Sequence, residues 1–216
     1  MTEYLENKTV LVTAGPTYEP IDPVRFLGNR SSGKQGYAIA EKLRDAGANV
    51  TLVSGPTALP DPDGMNVIRV ETAMEMLNAC SGDYDIAVCA AAVADYGVQM
   101  HDQKQKKSNG GLDIQLTENP DILHTIANDK NRPDFVIGFA AETDNLIKNA
   151  KEKLDKKGCD AIIANIPHFG SDSTSITWIS KTHQQDYKDI SKSDVGDIIV
   201  EKLITYYNPK KELKII

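Results

Sequence analysis

Short runs of β-branched and aliphatic residues alternate along this chain with longer stretches whose apolar positions recur at helical spacing. The first run is TVLVT, Thr9 to Thr13. A loop rich in Gly, Pro and Ser follows. A helix is predicted from about Lys34 to Ala46, with Gly47 as its C-terminal stop. NVTLVS (Asn49 to Ser54) reads as the second strand and GPTALPDPDG as a turn-rich connection. NVIRV (Asn66 to Val70) is the third strand, and Thr72 can cap the helix after it. DIAVCAAAV (Asp85 to Val93) is the fourth strand and the most apolar, and DFVIGFAA (Asp134 to Ala141) and DAIIAN (Asp160 to Asn165) are the next two.

Continuous apolar strands alternating with helices predict a mostly parallel sheet covered on both faces, the doubly wound α/β class. Two segments depart from the alternation. Residues 95 to 118 are polar and Lys-rich, with one possible strand at LDIQL, and form an expected flap. Residues 171 to 190 read as a small β-hairpin or meander around ITWIS. An amphipathic helix from Ser191 to Tyr207 closes the fold, and the KKELKII tail is read as frayed or as an oligomer contact. The 216 residues are expected to form one domain, since the usual size is about 150 residues or more with insertions.

Composition narrows the class without naming a function. The chain is 40% hydrophobic and 25% charged, with 15 Gly and 10 Pro, which excludes collagen-like, disordered and disulfide-scaffold proteins. Thirty-one acids against 24 bases give a net charge of −7, so an overall basic footprint for nucleic acid is absent. No apolar run reaches the roughly 18 residues of a membrane helix, and MTEYLENK has no basic region followed by an apolar stretch, so no signal peptide is expected from it. Cys80, Cys89 and Cys159 include no C-x-x-C pair, and the four histidines form no H-x-x-x-H pair for zinc. A reducing, cytoplasmic setting is expected.

In such sheets ligands bind beyond the carboxyl ends of the strands, so those ends are where chemistry is sought. After the first strand comes TAGPTYEPIDPVRFLGNRSSGKQG, Thr13 to Gly36. Its last part, Asn29 to Gly36, leads straight into a helix, and Ser and Gly there suit a phosphate site; the same residues also make an ordinary N-cap. It is not a Walker A loop, because Gln35 stands where Ser or Thr would hold magnesium. It is not the dinucleotide fingerprint either: G-x-G-x-x-G is missing, and the second strand ends in Val53-Ser54-Gly55 without a ribose-binding acid. Arg25 can pair with a carboxylate or phosphate, or equally form a salt bridge with Glu19 or Asp22. Asn29 can position a polar substrate group. Ala91 and Ala92 allow a ligand close to the backbone, and Asp95 stands at the mouth, or caps a turn.

Lys104-Gln105-Lys106-Lys107 lies in the polar segment, where it is either a solvated loop or a lysine loop closing over a polyphosphate. Asn119-Pro120-Asp121-Ile122 opens a helix, with Asn119 or Asp121 as its cap and Pro120 in its first turn. The same position can present polar edges to a base. Phe139 can stack on a base or pack in the core. Lys153, Lys156 and Lys157 lie on the next helix, where one facing the cleft would reach a phosphate.

As a set, TAGPTYEPIDPVRFLGNRSSGKQG, AAAVADY, KQKK, NPDI, GFAAET and FGSD, in that order, closely resemble phosphopantothenate–cysteine ligase (phosphopantothenoylcysteine synthetase) of coenzyme A biosynthesis. The resemblance runs from about Lys8 to Tyr206. It implies a Rossmann-like domain that dimerises, with residues of both subunits meeting at the site. It implies the stand-alone, bacterial, CTP-using type, without flavin and with Mg²⁺ on the nucleotide through ligands the sequence does not identify. The implied reaction joins 4′-phosphopantothenate to L-cysteine through an acyl-cytidylate, releasing pyrophosphate and then CMP.

By motif matching, Lys104 stabilises the first transition state and Asn29 holds the acyl-cytidylate for attack by cysteine. Arg25, from the partner subunit, contacts phosphopantothenate, and Ala91, Ala92 and Asp95 line the shared pocket. Gly15, Ser31, Gly33 and Gly36 match the phosphate loop. Asn119, Pro120, Asp121, Ile122, Phe139, Lys153 and Lys157 match the CTP side. One departure is the absence of proline from Gln99 to Gln103, which bears on the stiffness of the flap. Two other classes fit the pattern less well. A flavin- or NAD(P)-dependent oxidoreductase lacks its glycines and ribose acid here, and a non-catalytic nucleotide-binding subunit has little need of a lysine loop.

Overall fold

A computed structural model describes residues 4–106, 113–142, 144–166 and 173–208. The chain runs β1 (Thr9–Ala14), β2 (Tyr18–Pro20), β3 (Phe26–Gly28), α1 (Lys34–Asp45), β4 (Asn49–Ser54), β5 (Asn66–Arg69) and α2 (Ala73–Ala79). It continues through β6 (Ile86–Cys89), β7 (Tyr96–Val98), β8 (Leu116–Glu118), α3 (Ile122–Ala127), β9 (Phe135–Ala141) and α4 (Leu146–Lys157). It ends with β10 (Ala161–Asn165), β11 (Ser173–Ser180), β12 (Gln184–Ser191) and α5 (Lys192–Tyr207).

Eight strands form the main sheet in the order β12-β11-β10-β9-β6-β1-β4-β5. The six from β10 to β5 are parallel, and β11 and β12 add an antiparallel edge. The chain leaves β1 toward β4 on one side and returns with β6 on the other, so the topological switch lies between β1 and β6. The doubly wound α/β class expected from the strand runs is the observed one.

Each face of the sheet carries its own apolar layer. Val10, Val12, Val50 and Leu52 pack with Ile39 and Leu43 of α1 and Val195, Ile199 and Leu203 of α5. Leu11, Val53, Ala87 and Val136 pack on the other face with Met76, Ile126 and Leu154 of α2, α3 and α4. Alternate residues of one strand thus enter opposite layers, as the two-residue period of a strand requires.

Local signals set the helix ends. Thr72 and Glu75 form a capping box on α2, and Ser191 and Asp194 form another on α5. The amino-terminal edge of the sheet is tied by Asp85. Its carboxylate accepts from Thr9 N at 2.8 Å, Thr9 Oγ1 at 2.9 Å and Lys8 Nζ at 3.0 Å. Lys8 Nζ also lies 4.2 Å from the centre of the Tyr207 ring. Burial alone would raise the Asp85 pKa, but these bonds outweigh it and hold it below the usual carboxylate range.

Two expectations need correction. The fourth strand stops at Cys89, not Val93, because Gly15 turns the chain away from β1 and the backbone past Cys89 follows that loop. Of LDIQL, Leu112 lies outside the described residues, and among the rest only Leu116 joins the flap strand. The strand is Leu116–Glu118, set by Gly97 opposite Thr117 and closed by Asn119 N on Asp95 O at 2.9 Å. The expected C-terminal β-hairpin around ITWIS is present, as two eight-residue strands that extend the main sheet with a bulge between Thr174 and Ile176. Within the described residues, no helix is long and apolar enough to cross a membrane.

Candidate active site

The carboxyl ends of β1, β6, β9 and β10 open into a cleft of about 1300 Å³. One wall is the turn from Asn29 to Gly36. Gly33 is the N-cap of α1, with φ of 76° and no side-chain cap, so the first turn presents backbone N–H groups. The helix lies close to β1: a Cβ on Gly36 would stand 2.5 Å from Ala14 Cβ. Gly15 does not line the cleft; it supports this wall from behind, within 3.4 Å of where a Gly33 Cβ would sit.

The floor runs from Cys89 to Tyr96. Ala91 N donates to Thr13 Oγ1 at 3.2 Å and Ala92 N to Gly15 O at 2.8 Å, which fixes the small-residue run against the first loop. Asn29 spans wall and floor. Its Nδ2 donates to Ala92 O at 3.1 Å and to Val93 O at 3.0 Å. The amide nitrogen is thus committed, and the side-chain oxygen is the acceptor left for a ligand. Asp95 is exposed at the mouth.

The opposite wall comes from α3, β9 and α4. Asn119 Nδ2 donates to Ala94 O at 2.9 Å. Asp121 caps α3 by accepting from His124 N at 2.9 Å, and its other oxygen pairs with Lys157. Burial works against its charge, yet Lys157 and the His124 N–H hold its pKa below the usual range. Of the two caps open from sequence, Asp121 is the one used, so Pro120 stands just before the cap and not in the first turn. Phe139 is partly buried, and its carbonyl accepts from Lys153 Nζ at 2.7 Å. Burial, and then the neighbouring Lys157, pull the Lys153 pKa down.

Fourteen of the 17 expected site residues therefore line one cleft: Asn29, Ser31, Gly33, Gly36, Ala91, Ala92, Asp95, Asn119 to Ile122, Phe139, Lys153 and Lys157. Gly15, Arg25 and Lys104 do not line it. Arg25 instead pairs with Asp22, one of the two salt bridges open to it from sequence. Lys104 is exposed outside the cleft, and Lys107 and the FGSD segment lie outside the described residues. The sequence reading missed Asn165, Ser173, Thr174 and Lys192, which line the β10–β11 end. Asn165 ends β10, and the strand-end rule applied to the other strands would have found it.

Five cationic side chains (Arg30, Lys34, Lys153, Lys157, Lys192) line the cleft against three carboxylates (Asp95, Glu118, Asp121). In a chain of net charge −7 this concentrates positive potential at one site, which suits an anionic ligand. The described residues contain no group of three metal-ligating side chains.

Known proteins share this chain's sequence over most of its length. The model of the DNA/pantothenate metabolism flavoprotein C-terminal domain matches residues 5–207. The chain belongs to that family. Curated relatives named Coenzyme A biosynthesis bifunctional protein CoaBC are similar in sequence. The one from Borreliella burgdorferi is 42% identical over 208 residues, covering 93% of this chain and 53% of the relative. That from Escherichia coli strain K12 is 37% identical over 218 residues, covering 95% and 54%. The chain thus spans about half the length of the curated relatives it matches.

Solved structures agree on the fold. A C-terminal domain of Coenzyme A biosynthesis bifunctional protein CoaBC superposes with a TM-score of 0.83 at 37% identity, covering 97% of this chain and 100% of that one. A DNA/pantothenate metabolism flavoprotein from Streptococcus pneumoniae gives 0.78 at 25% identity, covering 92% and 99%.

Proposed function

We propose that this domain is a CTP-dependent phosphopantothenate–cysteine ligase of coenzyme A biosynthesis, working as a homodimer with a shared site. Membership of a family whose relatives carry coenzyme A biosynthesis in their names supports the reading. The observation that carries it is the net-positive cleft at the sheet's switch point. An uncapped helix start forms one of its walls, Lys153 and Lys157 stand on the other, and Asn29 sits at the floor.

In the first step a 4′-phosphopantothenate carboxylate oxygen attacks the α-phosphorus of CTP. The bond to the bridging oxygen breaks and pyrophosphate leaves with its electron pair. Bringing a carboxylate to a polyphosphate is opposed by charge, so preorganised positive groups dominate this step. The first turn of α1, Ser31, Gly33, Lys153 and Lys157 would hold the phosphates. Asn119 to Ile122 and Phe139 would face the base. Lys104 would neutralise the transition state, which requires its exposed segment to approach the bound nucleotide.

In the second step the amine of cysteine attacks the acyl carbon, loses a proton and expels CMP. Positioning dominates here, and the free oxygen of Asn29 is placed to orient the acyl group. Arg25 would reach phosphopantothenate across the dimer. Magnesium supplies charge neutralisation on phosphates. It would enter on the nucleotide, with Asp95 and Glu118 as cleft carboxylates able to hold it, in keeping with its preference for few protein ligands.

Two variants test these roles. Asn29→Asp should form the acyl-cytidylate but stall its conversion, giving a mass-spectrometric signal that persists after cysteine is added. Lys104→Gln should slow pyrophosphate release by about 10²-fold, as loss of one preorganised donor does elsewhere. Normal product formation by the first, or unchanged pyrophosphate release by the second, would remove the role from that residue.

A further inference from the structure

Among the described residues Asp22 is one of two buried charged side chains, at 2% exposure, yet it lies outside the cleft. It sits in the turn between β2 and β3. Oδ1 accepts from Val24 N at 2.9 Å and Arg25 N at 3.0 Å, which shapes the turn. Oδ2 accepts from Arg25 Nε at 3.0 Å and Nη2 at 2.6 Å, and also from Gln105 N at 3.1 Å. Arg25 Nη2 in turn donates to Gln105 O at 2.6 Å. Both backbone groups of Gln105 are thus bound by an Asp–Arg pair from 80 residues away in sequence. A second tie, His101 N to Ile21 O at 2.9 Å, fixes the same segment four residues earlier.

Both Oδ1 bonds lie within the turn, whereas Oδ2 bonds the Arg25 side chain and also reaches the lysine segment at Gln105 N. Burial by itself would raise the Asp22 pKa. The bonds from Gln105, Val24 and Arg25 outweigh it and hold the pKa far below the usual carboxylate range, so the group is charged throughout the physiological range. An ionised acceptor makes the stronger kind of hydrogen bond.

We propose that Asp22 is a positioning residue for the first chemical step: its carboxylate clasps the backbone of Gln105, fixing Lys104 and Lys106 to the same body as Arg25. The positioning role rests on the ligase reading; the clasp on Gln105 does not. The clasp grips the main chain beside Lys104 and leaves the lysine side chains exposed. Lys104 and Arg25, two of the three expected site residues that do not line the cleft, are in this way coupled to each other.

The test has a structural and a kinetic arm. In the unmodified protein the Gln105 amide should exchange with deuterium slowly, and in Asp22→Asn quickly, with Val12 and Val88 amides in the core unchanged. In single-turnover assays Asp22→Asn should slow pyrophosphate release by about 10- to 100-fold, the scale of a displacement near 1 Å, with CTP affinity retained. Combined with Lys104→Gln it should add less than about twofold, because residues acting through one another are not additive. An unprotected Gln105 amide in the unmodified protein overturns the proposal without any variant. So does an Asp22→Asn penalty that persists in full on the Lys104→Gln background. Absence of pyrophosphate release in the unmodified protein would refute the ligase reading and leave the exchange measurement to decide the clasp.

Discussion

Replacing Gly36 with Ala should separate the geometry of the phosphate wall from the stability of the domain. The added Cβ would stand 2.5 Å from Ala14 Cβ, 3.0 Å from Ala14 Cα and 3.2 Å from Thr13 O. Carbon atoms settle at about 3.5–4.0 Å, so α1 must retreat from β1 by about 1 Å. Ala14 cannot yield, because it ends a strand whose residues from Val10 onward are buried and laddered to β4. Overpacking of this kind costs about 1–3 kcal/mol, while Ala for Gly within a helix returns about 0.5–1 kcal/mol. The net loss of stability should therefore be about 1 kcal/mol. The retreat also moves the N–H groups of the first turn, where a shift of about 1 Å is costly. CTP affinity should fall about tenfold or more, beyond what the stability change explains. Calorimetric titration with CTP and urea denaturation at pH 7 read the two effects. A variant that binds CTP within twofold of the parent, with an equal or higher urea midpoint, would refute the reasoning.

Two further predictions address other parts of the molecule. Asp85→Asn should cost about 1.5–3 kcal/mol at pH 7, the range for hydrogen bonds to a charged group. The folded pKa of Asp85 is depressed, so its contribution is present above the unfolded value and fades as pH falls through the folded one. Urea midpoints of parent and variant should accordingly converge in acid, and a gap that stays constant down to the parent's acid transition would contradict this. Lys153→Met should raise the CTP dissociation constant by roughly 10- to 100-fold, equivalent to one charge-assisted bond. In the parent, CTP binding should begin to weaken at a lower pH than an ordinary lysine would give, because burial depresses the Lys153 pKa. Titrations at several alkaline pH values check this; a Lys153→Met variant with unchanged affinity would place the phosphates elsewhere.

The parallel core was legible because its strands are buried on both faces and read as unbroken apolar runs. TVLVT, NVTLVS and DAIIAN needed no partner information to be recognised. β12 was not legible as a full strand: QQDYKDIS is largely exposed, an edge strand whose polar residues discourage further pairing. LDIQL misled because it alternates apolar and polar residues, whereas the ribbon register is set by Gly97, Asp95 and Asn119.

At the site, the turn from Asn29 to Gly36 and the run from Ala90 to Asp95 followed from their places after β1 and β6. Asn165 was equally accessible to that argument. Lys192 was not, since it reaches the cleft only because α5 packs beside α1, with Gln35 Nε2 on Lys192 O at 3.0 Å. The Asp22 clasp joins segments 80 residues apart and left no local trace beyond an acid near Arg25.

Pyrophosphate release from 4′-phosphopantothenate and Mg²⁺, with CTP or ATP and with or without cysteine, tests the central claim most directly. The account predicts release with CTP, and sustained turnover to CMP and 4′-phosphopantothenoylcysteine only when cysteine is present. Release with ATP alone would contradict the nucleotide assignment. No release with either nucleotide, from folded protein that still binds CTP, would contradict the ligase assignment itself.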